Sequence, residues 1–263
     1  MNPQVAALRD DALANARIAL ACLDLTSLND ADDEVAIDAL VARALNGSGR
    51  PAALCVWPRL VARARAQLPR EIAVAAVANF PDGALDLGRA VADTRAIVQA
   101  GGDEVDLVLP WRAMLGGESA AAGRLVTAVR AACPGQRLKL IIESGELPLP
   151  DIVRHACRIG LDAGVDFLKT STGKTAHGAS PEAARTMMQC IAAHPRGAAV
   201  GFKASGGIRS VADAAAYIDL ARDILGSEAV TPARLRFGAS ALLADIERVL
   251  GGAVTAAASP ATY

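Results

Sequence analysis

The chain has 263 residues, 52% of them hydrophobic and only 3% aromatic, so its core is built from Ala, Val, Leu and Ile and is large enough for one α/β barrel or two small domains. With 27 basic and 28 acidic residues the formal net charge is −1, and no basic block or aromatic–basic interleaving points to nucleic acid. The stretch Met1 to Ala21 is interrupted by Asp10, Asp11 and Arg17, and no apolar run approaches the roughly 18 residues of a membrane span, so a soluble cytoplasmic protein is expected.

Short apolar runs then alternate with amphipathic segments along the chain. Residues 4–18 read as an Ala-rich leading helix, with a first strand near Ala19–Leu23 that ends at Asp24. Leu28-Asn29-Asp30 supplies a turn and cap for a helix through about Leu45. The second strand, Ala52–Val56, stops at Trp57-Pro58 and is followed by a short Arg-rich helix. A third strand, Ile72–Val77, ends in Asn79-Phe80-Pro81-Asp82-Gly83, and a helix near Leu85–Ala100 leads to the fourth, Glu104–Leu109. Ser119–Ala132 reads as a helix before the fifth strand, Arg137–Ile142, and another near Leu149–Ala163 leads to the sixth, which begins at Val165 and runs into Lys169. Ser180 caps a helix with Pro181 at its first position. The seventh strand, Ala199–Lys203, turns through Ala204-Ser205-Gly206-Gly207. A helix over Val211–Ile224 precedes the eighth strand, Leu235–Phe237, and a last helix ends at Leu250.

Eight strands, each followed by a helix, describe a (β/α)₈ TIM barrel with an extra N-terminal helix. An open doubly wound sheet uses the same alternation, but no Gly-x-Gly-x-x-Gly follows the first strand. No linker interrupts residues 1–250, expected as a single barrel domain, and the Gly/Ala/Ser-rich segment 251–263 is expected to be a flexible tail ending in Tyr263.

In such a barrel the reacting groups sit where strands end, which singles out Asp24, Asn79, Asp106, Lys139 with Glu143, Lys169 and Lys203. A lysine closing a buried strand is costly when charged. Lys169 is either ion-paired or solvated at its head, or it is a neutral amine that attacks carbonyls. Lys203 closes the neighbouring strand, and two inward lysines there disfavour each other's charge; the alternative is that both bind phosphate as plain charges. Asp106, inside Val105-Asp106-Leu107-Val108, needs a cationic partner and serves either proton transfer or a structural ion pair. Three glycine-bearing turns, Ser171-Thr172-Gly173-Lys174, Ser205-Gly206-Gly207-Ile208-Arg209 and Gly238-Ala239-Ser240, offer backbone N–H groups for phosphate. His155, His177 and His194 lack metal-ligand spacing, and the five scattered cysteines form no Cys-x-x-Cys pair, so neither a zinc site nor a disulfide framework is expected.

With these residues assembled, the chain resembles the class I, Schiff-base deoxyribose-phosphate aldolases. The matching segments are Leu23-Asp24-Leu25-Thr26, Val77-Ala78-Asn79-Phe80-Pro81, Asp103-Glu104-Val105-Asp106, Lys139 to Leu147, Phe167 to Lys174, Gly201-Phe202-Lys203 and Arg236-Phe237-Gly238-Ala239-Ser240. The resemblance implies Lys169 as the Schiff-base lysine, with Asp106 and Lys203 as its proton-transfer partners. It further implies substrate contacts from Asp24, Thr26, Cys55, Lys139, Thr170, Gly173, Lys174, Gly206, Gly207, Arg209, Gly238 and Ser240. The implied reaction is reversible cleavage of 2-deoxy-D-ribose 5-phosphate to acetaldehyde and D-glyceraldehyde 3-phosphate, in deoxyribose phosphate catabolism. No metal and no organic cofactor is implied, because the lysine supplies the electron sink. Two departures stand out: Ala204 replaces a proline common in the family, and Ala241 replaces a second serine after Ser240. Expected partners are small aldehydes and sugar phosphates, with neither nucleic acid nor membrane, and a homodimer is the assembly considered. The rival readings are a sugar-phosphate isomerase with a carboxylate base and a non-catalytic sugar-phosphate sensor.

Overall fold

Each apolar run long enough for a strand but too short for a helix is answered by a strand, and all eight pair in parallel and in chain order. The computed structural model describes residues 3–251, in which these strands close into a barrel, β8 pairing with β1. The strands are β1 (Leu23–Thr26), β2 (Ala53–Val56), β3 (Ala73–Ala78), β4 (Glu104–Val108), β5 (Arg137–Ile141), β6 (Phe167–Lys169), β7 (Gly201–Ser205) and β8 (Leu235–Ala239). Around them lie α1 (Pro3–Ala21), α2 (Glu34–Asn46), α3 (Val61–Gln67), α4 (Leu87–Gln99), α5 (Trp111–Leu115), α6 (Ser119–Ala132), α7 (Pro150–Asp162), α8 (Pro181–Ala193), α9 (Val211–Leu225) and α10 (Leu242–Leu250). The expected TIM barrel is thus the fold, and the extra helix α1 packs against α9 and α10.

Alternation along the strands sorts the side chains into two environments. Leu23, Leu25, Leu54, Val74, Val105, Leu107, Leu138, Leu140, Leu168, Phe202, Leu235 and Phe237 join the core shared with the helices. The intervening residues meet across strands in aligned rungs that face the barrel axis. One rung runs Cys55, Ala75, Glu104, Arg137; the next runs Val77, Asp106, Lys139, Phe167, Gly201; a third holds Lys169, Lys203 and Arg236. Each fully buried aliphatic side chain on the outer face contributes about 1.5–3 kcal/mol, so stability is drawn from the sheet–helix layer and the axis is left to polar residues.

Several boundaries differ from the sequence expectation, among them the starts of β6 and β7 and the end of β8, which runs on through Ala239. The helix-favouring Ala19-Leu20-Ala21 stays in α1, with Cys22 N–H bonded to Ile18 O at 2.9 Å, so β1 starts at Leu23 and carries Asp24 within it. The cap of α2 is Asp33, because Asp30 precedes a turn in which Asp32 folds back onto Ser27 and Asn29. Strand β7 continues through Ser205, whose N–H is held by Thr170 Oγ1 at 2.9 Å, so the turn begins at Gly206. The short α5 has no counterpart in the expectation; it follows Pro110 and seats the Arg112 guanidinium 4.0 Å from the Trp111 ring centre. Apart from Gly251, the expected tail and its Tyr263 lie outside the described residues. Among those residues, no helix is long and apolar enough to cross a membrane.

Candidate active site

Inward alternation on β1, β4, β5, β6, β7 and β8 brings seven charged side chains onto one axis. Asp106 lies at its upper part: Oδ2 accepts from Lys169 Nζ and from Lys203 Nζ, each at 2.8 Å, and Oδ1 accepts from Lys139 Nζ at 2.8 Å. Cys55 Sγ lies 3.9 Å from the same Oδ2. Lys203 Nζ also reaches Asp24 Oδ2 at 2.5 Å, and Lys139 Nζ meets Asp24 at 3.2 Å and Glu104 at 2.5 Å. Arg236 closes the lower end, donating to Asp24 at 2.5 Å and to Glu104 at 2.9 Å. Arg137 joins Glu104 from the solvent side at 2.7 Å. The other seven are almost wholly buried, so water does little to screen their charges.

These contacts set how firmly each lysine holds its proton. Lys139 has three carboxylate partners, Lys203 two and Arg236 two, whereas Lys169 has only Asp106, which it shares. Three carboxylates, Asp24, Glu104 and Asp106, are balanced by Lys139, Lys203 and Arg236, which leaves Lys169 as the surplus cation. Burial therefore pushes the Lys169 amine below the ordinary lysine range; Asp106 opposes the shift and the Lys203 ammonium reinforces it. For Lys203 burial acts in the same direction, but Asp106 and Asp24 outweigh it and hold the proton more firmly than usual. Burial alone would raise the Asp106 carboxyl, yet Lys139, Lys169 and Lys203 hold it well below its usual range. The result is a carboxylate between a firmly charged ammonium and an amine that holds its proton less firmly than an ordinary lysine. A neutral amine with a lone pair attacks carbonyl carbon.

Above Lys169 opens a cleft of about 350 Å³ at the C-terminal ends of the strands. It brings together Lys169 and seven of the expected contacts from three loops and β8: Gly173, Lys174, Gly206, Gly207, Arg209, Gly238 and Ser240, with Thr26 on the adjoining β1. Gly173, Gly206 and Gly207 have φ of 75°, 84° and 89°, a region that side chains with Cβ rarely adopt, so these turns require glycine. A Cβ on Gly238 would stand 3.0 Å from Lys203 Cε, so its absence lets the Lys203 stem pass. At the rim, Lys174 Nζ bonds to Leu28 O at 2.7 Å and the Arg209 side chain is exposed. The N-terminus of α10 reaches the cleft at Ala241 with no side-chain cap, leaving backbone N–H groups for an anion.

The remaining expected contacts lie elsewhere. Asp24 and Lys139 belong to the charged axis below the cleft, and Cys55 borders Asp106. Thr170 is buried and ties β6 to β7, its hydroxyl donating to Ser205 O at 3.0 Å. Two strand-end residues prove to shape loops: Asn79 Nδ2 bonds to Ala84 O and Val108 O, and the Glu143 carboxylate accepts from Thr172 N–H and Thr175 Oγ1. Sequence reasoning passed over Glu104 and Arg236 as site residues, although each stands two residues before a named one, Asp106 and Gly238, and so shares its inward face. Ser27 also lines the cleft without having been named, and Ser205 and Asn29 line it although the sequence marked them only as parts of turns.

Comparison with known proteins follows this geometry. The model of the DeoC/LacD family aldolases matches residues 18–248. A deoxyribose-phosphate aldolase from Agrobacterium fabrum (strain C58 / ATCC 33970) is 42% identical over 247 residues, covering 93% of this chain and 95% of that protein. Among solved structures, a Toxoplasma gondii protein assigned as a deoxyribose-phosphate aldolase superposes with a TM-score of 0.85 at 21% identity, over 92% of this chain and 96% of that one. A tetrameric deoxyribose phosphate aldolase from Aeropyrum pernix superposes with a TM-score of 0.71 at 23% identity, over 94% and 98% of the two chains. At these identities the two structures speak for the fold.

Proposed function

The chain belongs to the DeoC/LacD aldolase family, and on that premise we propose that it cleaves 2-deoxy-D-ribose 5-phosphate reversibly to acetaldehyde and D-glyceraldehyde 3-phosphate, with Lys169 as the covalent group. The observation that carries this reading is the position of Lys169: an amine with a single shared carboxylate partner, at the floor of a cleft whose rim bears Lys174 and Arg209. The phosphate belongs at the rim, against Gly173, Gly206, Gly207, Ser240 and the N-terminus of α10, and the aldehyde at the floor.

Nζ of Lys169 adds to the C1 aldehyde and water leaves, giving an iminium that draws electrons from the C2–C3 bond. Asp106 is the carboxylate nearest the reacting nitrogen and passes protons there, while Lys203, its charge held by Asp24 and Asp106, orients that carboxylate. Loss of the C3 hydroxyl proton breaks C2–C3 and frees glyceraldehyde 3-phosphate; protonation at C2 and hydrolysis then release acetaldehyde. The isomerase reading needs the barrel lysines as phosphate ligands, but Lys203 and Lys139 are fully buried among carboxylates below the cleft. A cytoplasmic setting fits five cysteines that are all free thiols in the structure. A homodimer is part of the reading, and sedimentation at micromolar protein distinguishes it from a monomer.

The test is reductive trapping. Borohydride with acetaldehyde should leave an ethyl adduct on Lys169, located by peptide mapping, and Lys169→Arg should abolish both adduct and cleavage with the fold retained. An adduct on Lys174 or Lys203 instead would overturn the assignment.

A further inference from the structure

The charged axis does not stop at the reacting lysine. Its lower end, Glu104 and Arg236, lines a separate open cavity of about 930 Å³ at the opposite, N-terminal end of the barrel. That end is built as deliberately as the cleft. Phe167 fills the floor of the barrel, with the guanidinium carbons of Arg137 and Arg236 each 5.7 Å from its ring centre. A Cβ on Gly201 would stand 2.3 Å from this ring, so the glycine makes its place. Arg236 is thereby held in one position, with Nε on Pro232 O and its two terminal nitrogens on Asp24 and Glu104.

We propose that Glu104 and Arg236 are positioning residues for the aldolase reaction: from the far end of the barrel they fix the number of protons the buried axis can hold, and so force the surplus proton off Lys169. The inference rests on the reading of Lys169 as the Schiff-base lysine. Its logic is a charge balance among side chains that are almost wholly buried. Among the axial groups, Asp24, Glu104 and Asp106 face Lys139, Lys169, Lys203 and Arg236, an excess of one cation. An arginine does not deprotonate, and Lys139 and Lys203 each hold at least two carboxylates. The excess falls on Lys169. The other groups around it leave this balance in place: the Cys55 thiol is raised by burial and stays neutral, Arg137 stands at the solvent end, Lys174 and Arg209 belong to the loops at the rim, and the buried Glu143 carboxylate is held by Thr172 N–H and Thr175 Oγ1 and has no axial partner.

Removing one charge at the lower end should therefore act at the upper end with a defined sign. Arg236→Gln leaves three carboxylates and three lysines, so Lys169 keeps its proton and the acid limb of kcat/KM moves to higher pH. Glu104→Gln leaves two carboxylates and four cations, so the limb moves to lower pH. The double substitution restores an excess of one and should return the limb to the parent position, and Arg236→Lys should keep it there. A movement of about one pH unit or more, tenfold in rate at a fixed pH on that limb, is expected for the single neutral variants.

The experiment measures kcat/KM against pH with 2-deoxy-D-ribose 5-phosphate for the parent and the four variants. In parallel, the rate of reductive ethylation of Lys169 by acetaldehyde and cyanoborohydride is followed over the same pH range. Opposite movements in the single variants, cancelling in the double, support the proposal; a purely structural role lowers kcat without them. Limbs that coincide with the parent's, or a double variant that keeps one single variant's displacement, overturn it. Should Arg236→Gln fail to fold, Glu104→Gln and the double variant still give opposed expectations, displacement and return. A parent enzyme that forms no adduct at Lys169 would instead sink the underlying aldolase reading.

Discussion

Lys203 is the sharpest place to test how the site makes a neutral amine. Its Nζ and that of Lys169 each lie 2.8 Å from the same oxygen of Asp106, so the two nitrogens are at most twice that distance, 5.6 Å, apart. At an effective dielectric constant of about 20, two unit charges at that separation repel by about 3 kcal/mol, or about two pH units in the proton affinity of Lys169. Lys203→Leu removes that repulsion and leaves Asp106 more fully to Lys169, so both effects raise the affinity of Lys169 for its proton. The axis then holds three carboxylates and three cations, which keeps the fold electrically balanced. The acid limb of kcat/KM should move up by about two pH units, giving a loss of about a hundredfold near neutrality that recovers about tenfold per pH unit in alkali. KM for the sugar phosphate should change little, because Lys174 and Arg209 at the rim are untouched. The assay is coupled detection of glyceraldehyde 3-phosphate between pH 6 and 10. A limb at the parent's position, with the loss carried by KM, would refute the reasoning and return Lys203 to phosphate binding.

Two further outcomes can be checked independently. Gly206→Ala places a Cβ at φ 84° and 3.0 Å from the Gly178 Cα, a cost of about 1–2 kcal/mol in the glycine turns of the cleft; KM for deoxyribose phosphate should rise while trapping with phosphate-free acetaldehyde persists, and equal loss of both would show that the turn does not serve phosphate. Half-buried Cys190 is brought down to about 7 by the Cys157 thiol beside it and, after the opposing effect of burial, by Arg154 and Arg158, whereas Cys22, Cys55, Cys133 and Cys157 are buried and raised. A thiol reagent at pH 7.5 should label Cys190 first, as read by peptide mass, and uniform labelling would contradict this.

The parts of this molecule legible in its sequence are those governed by local rules. Strand count and order follow from short apolar runs separated by amphipathic segments, and Ser180-Pro181 marks the start of α8 by chemistry confined to a few residues. The start of β1 differs because Ala19-Leu20-Ala21-Cys22-Leu23 is one unbroken apolar run, within which helix propensity and the contact of α1 with α9 and α10 keep the first three residues helical. The lysines were visible because a charge at the end of an apolar strand has few explanations. Glu104 and Arg236 were not, because each begins or nearly begins its strand, where a charge is usually solvated. Their burial comes from closure of the barrel, which brings β8 and β4 to opposite sides of one axis, and no spacing along the chain encodes that. Thr170 is a contrasting case: its place beside Lys169 suggests substrate, while in the structure its hydroxyl binds the neighbouring strand.

A barrel interior is ordinarily filled by layers of branched apolar side chains, and this one departs from that along most of its axis. Apart from Phe167 at the floor, its apolar content is Cys55, Ala75 and Val77 on β2 and β3, with Leu28 above them. These are small, and their smallness has a geometric consequence: the long side chains of Lys139, Lys169, Lys203 and Arg236, rooted on β5 to β8, cross the axis and meet carboxylates on β1 and β4. A bulky residue at Ala75 would occupy the space beside Glu104, its partner in register, and part the acids from the bases. Buried ion pairs of this kind add little net stability compared with apolar packing, since desolvation offsets most of their attraction. What they add is a fixed inventory of charge in a dry space. Stability is carried by the outer sheet–helix layer, and the axis is free to hold one lysine that shares its single carboxylate and so holds its proton less firmly.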